Sequence, residues 1–325
     1  MIFAKYGVLT LLVAFFALNM GGSNFGASFA AAHGGKIVTK KRAQILFIIF
    51  VLLGAVLMGR PVSETIGNKI IPSELIGLDA LLIILACATF SLFIANKLHV
   101  PQSTSLVTVA SILGVGVYFR SVYLETLFYL IPFWLLLPVI GYLLTFFLGR
   151  IVYPPRQSNF LIYEKLVNHK NRLKVFVIIA SCYNAFSIGT NNVANAVGPL
   201  FGAGIIDKAL GLILIAPIFG LGSMVFLGPL KTTGEKIVPL GILSATIICL
   251  VTGTLMVTAS LCGVPQSFVM IKVASIFAIG GLKNGHRLTF LNPVTKKTYF
   301  TWLITPIIAF GLSFGLSWIR DVLFV

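Results

Sequence analysis

Uncharged polar side chains recur in matched groups inside otherwise apolar sequence. Gly22-Ser23-Asn24-Phe25-Gly26-Ala27-Ser28 lies in the first apolar stretch and Gly189-Thr190-Asn191-Asn192-Val193-Ala194-Asn195 in a later one. Val100-Pro101-Gln102-Ser103, followed by Thr104 and Ser105, returns as Val264-Pro265-Gln266-Ser267. Lys272 stands eight positions after Val264, where the first copy has Thr108. Hydroxyls and side-chain amides donate hydrogen bonds without carrying charge. A lysine inside an apolar run costs at least ~2.5 kcal/mol at the bilayer centre and marks a functional position by default. The candidate substrate-binding residues are therefore Ser23, Asn24, Ser28, Gln102, Ser103, Thr104, Ser105, Thr190, Asn191, Asn192, Asn195, Gln266, Ser267 and Lys272. A single Ser, Thr or Asn is more often glue between membrane helices. Clustering in duplicated motifs turns the balance for Asn24, Asn191, Asn192 and Asn195, whereas snorkelling to an interface weighs equally for Lys272.

The elements that must hold these residues are membrane helices. Of 325 residues, 58% are hydrophobic and 10% charged, and the mean hydropathy is +1.02, which excludes a soluble globular or disordered chain. Runs such as 43–59 and 77–96 approach the ~20 residues that cross a bilayer as helix, and Ile45 to Leu53 is apolar at every position, unlike an alternating barrel strand. The net charge is +16, and many of the basic residues collect in three loops, around Lys36 to Arg42, Arg150 to Lys174 and Lys283 to Lys297, which the positive-inside rule places in the cytoplasm. Counting between them gives about ten membrane-crossing stretches with both termini outside, so the two motifs run in opposite directions. The expected fold is an all-α inverted-repeat secondary transporter with two Pro-interrupted hairpins. Residues 1–149 form the first repeat, 150–174 a cytoplasmic linker and 175–325 the second repeat. Each repeat is expected to open with a helix broken by small residues, around Gly21 to Ala27 and from Gly189 to Pro199. The chain is expected to turn at Pro101 and Pro265, because proline cannot continue a helical ladder.

With these motifs the chain resembles the inorganic phosphate transporter family, sulfate permease branch. Thr190-Asn191-Asn192-Val193-Ala194-Asn195-Ala196 is similar to the family's Gly-Ala-Asn-Asp-Val-Ala-Asn signature, and Ser23-Asn24 with Ala27-Ser28 matches it loosely. Aligning Gly22 with Gly189, an offset of 167, puts Phe25 and Asn192 at the family's Asp positions, and Val51 stands where the family has a helix-two glutamate. The resemblance implies that those carboxylates serve sodium and phosphate, so their loss argues against sodium coupling. It also bears on the anion. Phosphate at neutral pH keeps a proton that a carboxylate can accept; sulfate offers only acceptors, and a carboxylate facing it is a like-charge contact. Donors suit sulfate, and N–H groups at helix restarts add positive dipole ends. The expected function is import of inorganic sulfate across the cytoplasmic membrane by a multi-pass, proton-coupled permease; the alternative is an inorganic phosphate permease working as a cation symporter. The membrane potential opposes a dianion by ~2.3 kcal/mol per charge per 100 mV, so uptake needs a driving ion. Glu125 and His33 are the weak proton-relay candidates.

Other classes fit less well. No soluble basic and aromatic face exists for nucleic acid. A membrane-embedded enzyme needs convergent acid, base or metal ligands, and His33, His99, His169 and His286 are scattered. A non-transporting sensor would bind without flux. Cys87, Cys182, Cys249 and Cys262 read as packing residues, and no metal site or cofactor is implied. A signal-peptide reading of the N-terminus would remove one copy of the motif, so the segment is read as the first helix. The partners are the oxyanion, protons, the lipid bilayer and, as a candidate, a second copy of the chain in a homodimer.

Overall fold

The structure, a computed structural model, describes residues 2–97, 102–152, 169–226 and 241–324, with isolated positions between 157 and 164. Pro101, the Gly234 to Pro239 segment and much of the middle of the 150–174 linker (153–156, 158, 162–163 and 165–168) lie outside the described residues. The helices are α1 (Ile2–Gly34), α2 (Lys40–Met58), α3 (Arg60–Asn68), α4 (Leu78–Lys97), α5 (Thr104–Tyr118), α6 (Leu124–Val152), α7 (Lys170–Asn192), α8 (Ala194–Gly202), α9 (Lys208–Val225), α10 (Ile242–Leu261), α11 (Phe268–Asn284), α12 (His286–Leu291) and α13 (Pro293–Phe324). Among the described residues there is no strand. The chain is a multi-pass membrane protein.

Among the described residues eight helices, counting α7 and α8 as one, are long and apolar enough to cross a bilayer, where the sequence led to an expectation of about ten. The difference lies in α5 and α11, of 15 and 17 residues. At 1.5 Å per residue they reach roughly 22 to 26 Å, short of a ~30 Å hydrocarbon core. Both begin where the sequence requires. Ser103 Oγ accepts the Leu106 N–H at 3.1 Å and Ser267 Oγ accepts the Met270 N–H at 3.2 Å, so each Val-Pro-Gln-Ser segment supplies an N-cap for the helix behind it. Before Ser267 the chain is non-helical from Cys262, turning at Gly263 with φ +67°.

At the centre, α1 crosses α9 and α2 crosses α7, in contacts so close that no side chain fits between them. A Cβ on Gly21 would sit 1.6 Å from Phe219 O, and one on Gly189 would sit 2.1 Å from Val51 O. A Cβ on Gly222 would meet Leu18 O at 2.0 Å, and one on Gly54 would meet Phe186 O at 2.0 Å. The first pair of contacts maps onto the second by one offset, 168 residues (189 minus 21, 222 minus 54). Lipid tails are as apolar as side chains, so association in a membrane rests on such van der Waals approach and on hydrogen bonds, which small residues permit. Outside this core, α13 packs on α5 and α6 packs on α11. The outer helices keep much of their apolar surface free: only 17% of the most apolar window of Leu124–Val152 is buried, against 61% for Ile242–Leu261. The former suits lipid contact.

Two expectations need correction here. First, α1 is not broken at Gly21 to Ala27; it is one helix of 33 residues. Its glycines serve close approach to α9, and with no water in the hydrocarbon to accept freed backbone groups an unbroken ladder is favoured. Second, the structural offset is 168, not 167, which pairs Gly21 with Gly189 and Asn24, rather than Phe25, with Asn192. One residue is a 100° turn of a helix, so the correction decides which side chain faces the core. Gly21→Ala and Gly189→Ala are expected to destabilise by about 1–3 kcal/mol, the cost of overpacking. Thermal unfolding in detergent reads this, with Gly7→Ala, whose Cβ would meet nothing within 4 Å, as the neutral control.

Candidate functional site

The polar residues of both motifs are buried, and most meet in one cluster. On α7 and α8, Asn184, Asn191 and Asn195 fall at i, i+7 and i+11, which is one helix face. Asn191 fastens the turn after α10: its Nδ2 donates to Ser260 Oγ and Val264 O, both at 2.9 Å, and its Oδ1 accepts the Gln266 N–H at 3.0 Å. Thr190 Oγ1 lies 2.8 Å from Ser260 Oγ and donates to Ser187 O at 2.8 Å. Asn195 Nδ2 reaches α5, donating to Ser105 Oγ at 3.1 Å and Thr104 Oγ1 at 3.4 Å, and Ser105 Oγ donates to Gln266 O at 3.0 Å. The second motif thereby holds both Pro-Gln-Ser segments. Asn192 Nδ2 donates to Asn24 Oδ1 at 3.1 Å, joining the two positions related by the 168-residue offset.

Several candidate donors are used up within this scaffold. Ser23 Oγ and Asn24 Nδ2 both donate to Met20 O at 2.8 Å, and Ser28 Oγ donates back to Asn24 O and Phe25 O. These bonds fold back onto the carbonyls of α1 itself and turn the hydrogens of Ser23 and Ser28 away from any solute. Thr190 and Asn191 also spend their hydrogens within the protein, whereas Ser103 and Ser267 accept as helix caps and keep their own hydroxyl hydrogens free to donate. At Val193 the backbone stays helical, with φ −62° and ψ −33°, and Ala196 N donates to Val193 O. The helix nonetheless divides there, α7 ending at Asn192 and α8 starting at Ala194, and the starts of α5 and α11 add positive helix ends.

Open at both polar atoms are the side-chain amides of Gln102 and Gln266, 3% and 0% exposed. In both, Nε2 and Oε1 lack any hydrogen-bond partner, as do Asn192 Oδ1, Asn195 Oδ1 and Thr108 Oγ1. An unpaired buried donor costs about 1–3 kcal/mol, so a buried glutamine left open in both copies of Val-Pro-Gln-Ser calls for an explanation outside the protein's own bonding. Lys272 gives the sign of the charge. It is the only buried charged side chain among the described residues, where no Asp or Glu is buried. Its Nζ donates to Cys249 Sγ at 3.3 Å and forms no ion pair among the described residues. Asn184 Nδ2 also contacts Cys249 Sγ, at 3.6 Å, and Cys249 Sγ lies 3.7 Å from Ser28 O. A thiol is a weak acceptor, leaving most of the ammonium's hydrogen-bonding capacity unmet.

Sequence reasoning missed Asn184, Cys249 and Ser260. The i, i+7 spacing of Asn184 to Asn191 would have found the first; Cys249 and Ser260 carry no local signal, since their role comes from α10 lying against α7. Among the described residues no three His, Cys, Asp or Glu side chains come together to hold a metal ion.

Comparison with known proteins agrees with this architecture. The profile of the Phosphate transporter family matches residues 20–313. The chain is 34% identical to Sulfate permease CysP of Bacillus subtilis (strain 168) over 303 residues, 92% of this chain and 84% of that protein. A solved structure described as the sodium-dependent phosphate transporter superposes with a TM-score of 0.82 at 24% identity, covering 98% of this chain and 99% of that one. At that identity the superposition speaks for the fold.

Proposed function

Because the chain belongs to the phosphate transporter family, we propose that it is a permease whose cargo is inorganic sulfate, imported together with protons. Its relatives are transporters and permeases rather than enzymes. The observation that carries the choice of anion is the polarity of the buried cluster: two open glutamine amides, an unpaired Lys272 and no buried carboxylate among the described residues. Sulfate has four acceptor oxygens and no hydrogen at neutral pH, so it can satisfy Nε2 of both glutamines and the ammonium. Hydrogen phosphate would bring one O–H that finds no carboxylate to accept it. Similarity to a sulfate permease supports the same reading.

In this reading 1–149 and 175–325 are two inverted repeats joined by a cytoplasmic linker, and the paired crossings at Gly21 and Gly189 are the pivots about which they exchange access. Short α5 and α11 are the inner arms of two Pro-interrupted hairpins whose capped starts face the anion. The ends of α3, α6 and α9 that carry Glu64, Glu125 and Asp207 then face outward, opposite the basic loops. Asn192 and Asn24 in place of carboxylates leave no anionic ligand for sodium, which favours protons. Sulfate uptake into liposomes holding the purified protein is expected to rise about tenfold with an inward proton gradient and to stay unchanged with an inward sodium gradient. The reverse response would refute proton coupling, and uptake of phosphate that excess sulfate leaves untouched would refute the cargo.

A further inference from the structure

Away from the cluster, a cavity of about 640 Å³ lies between α3, the first turns of α6 and α9, and the turn after α10. Pockets of this size hold small solutes. Its wall carries Arg60, Lys69 and Lys208 against Glu64 and Glu125, three positive charges to two negative. Glu64 is shared by the lysines, with Lys208 Nζ at 3.0 Å and Lys69 Nζ at 3.4 Å. The Lys208 hydrogen bond is the main reason that the Glu64 carboxyl sits below its ordinary pKa, against the opposing effect of burial. Arg60 forms no ion pair within 4 Å among the described residues, although its charge also acts on Asp207, next to Lys208.

Cys262 and Gly263 line the same cavity. Their turn continues into Val264 and Gln266, which Asn191 holds from the far side at 2.9 and 3.0 Å. The turn that lines the cavity thus leads directly into the buried Gln266, while the buried Lys272 is not part of the cavity wall. Gly263 is tightly placed in that turn. Its φ is +67°, and a Cβ there would lie 3.1 Å from Thr65 Oγ1 and 3.3 Å from Pro61 O of α3. We propose that this cavity is an outer capture site for the tetrahedral dianion, with Arg60 as its contacting cation, and that the Cys262 to Gln266 turn is the partition that must shift to pass the anion inward.

The proposal rests on the outward orientation and the anion class of the preceding section, and Cys262 provides its test. It is exposed, whereas Cys87, Cys182 and Cys249 are buried. Membrane-impermeant methanethiosulfonates, one anionic and one cationic, are added to the outside of cells or of oriented liposomes carrying the full chain. The anionic reagent is expected to modify Cys262 about tenfold faster than the cationic one, because the cavity's excess charge attracts it. Millimolar sulfate slows the reaction. Arg60→Ala is expected to erase the preference and the protection and to raise the apparent KM for sulfate about tenfold, while Arg60→Lys restores them; Lys272→Met keeps the protection, since that residue lies beyond the partition. Reaction only from the cytoplasmic face, absence of protection by any oxyanion, or an Arg60→Ala protein with unchanged preference and KM would overturn the capture site. Protection by phosphate but not sulfate leaves the capture site standing and removes the sulfate assignment instead.

Discussion

Replacing Lys272 by Met lowers sulfate uptake at subsaturating concentration by roughly 100-fold, about 2.7 kcal/mol, the upper range for a hydrogen bond to a charged group. The side chain is 5% exposed and its ammonium donates to a cysteine sulfur, with no carboxylate within ion-pair distance among the described residues. Met fills a similar volume without charge, and removing an uncompensated buried charge does not weaken a fold. The variant protein without anion should therefore unfold at the same temperature as the wild type or higher. What it loses is ligand stabilisation: at 100 times the dissociation constant, sulfate adds about 2.7 kcal/mol to the wild-type protein and correspondingly less to Lys272→Met. Lys272→Arg should retain part of both. A thermal-shift titration with radiolabelled uptake beside it separates this outcome from simple misfolding; unchanged sulfate stabilisation in Lys272→Met would mean the lysine faces something other than the anion.

Asn192→Asp carries the second large effect. Asn192 donates to Asn24 at the point where α1 meets α7, and its Oδ1 has no partner. An ionised aspartate there deletes that donor and sets a negative charge beside a bound dianion; at 4 Å and an effective dielectric constant of 20, each pair of unit charges repels by about 4 kcal/mol. The group can escape by taking up a proton, because both burial and a neighbouring anion favour its neutral form. Sulfate uptake by Asn192→Asp is thus expected to fall about 100-fold at pH 8 and to recover as the pH drops through the raised pKa of the new carboxyl, while the wild type shows no such added dependence. Hydrogen phosphate, able to donate to the aspartate, should gain. Equal sulfate uptake by the two proteins across that range would show that position 192 does not face the anion.

How much of this can be read from the sequence depends on whether the information is local. Composition and charge placement reveal the membrane class, and Ser103 and Ser267 announce the starts of α5 and α11 because a cap is written within three residues of what it caps. Register is different. The letters align Gly22 with Gly189, but the helix crossings select Gly21, since only there does Phe219 O come within 1.6 Å of a Cβ position. That single step moves Asn24 onto Asn192 and turns Phe25 from a site position into core packing, at 6% exposure. Small residues in α1 likewise carry two meanings, a break or a close contact, and the sequence does not say that α9 lies against them. The fate of donors is the least legible. Asn191 and Gln266 look equivalent as uncharged amides, yet Asn191 spends its hydrogens on Ser260 and Val264 while the Gln266 amide stays open. The distinction exists only after α7, α10 and the turn between α10 and α11 are assembled.

The central claim is that the buried cluster receives a tetrahedral anion bearing no hydrogen. Competition against labelled sulfate in liposomes carrying the purified protein, at pH 7 and one ionic strength, tests it most directly. Unlabelled sulfate, selenate and molybdate should each displace the label at similar concentrations, while phosphate, which retains a proton at that pH, should require at least about tenfold more, the worth of one unmatched hydrogen bond. Phosphate competing as well as sulfate, or better, would contradict the account.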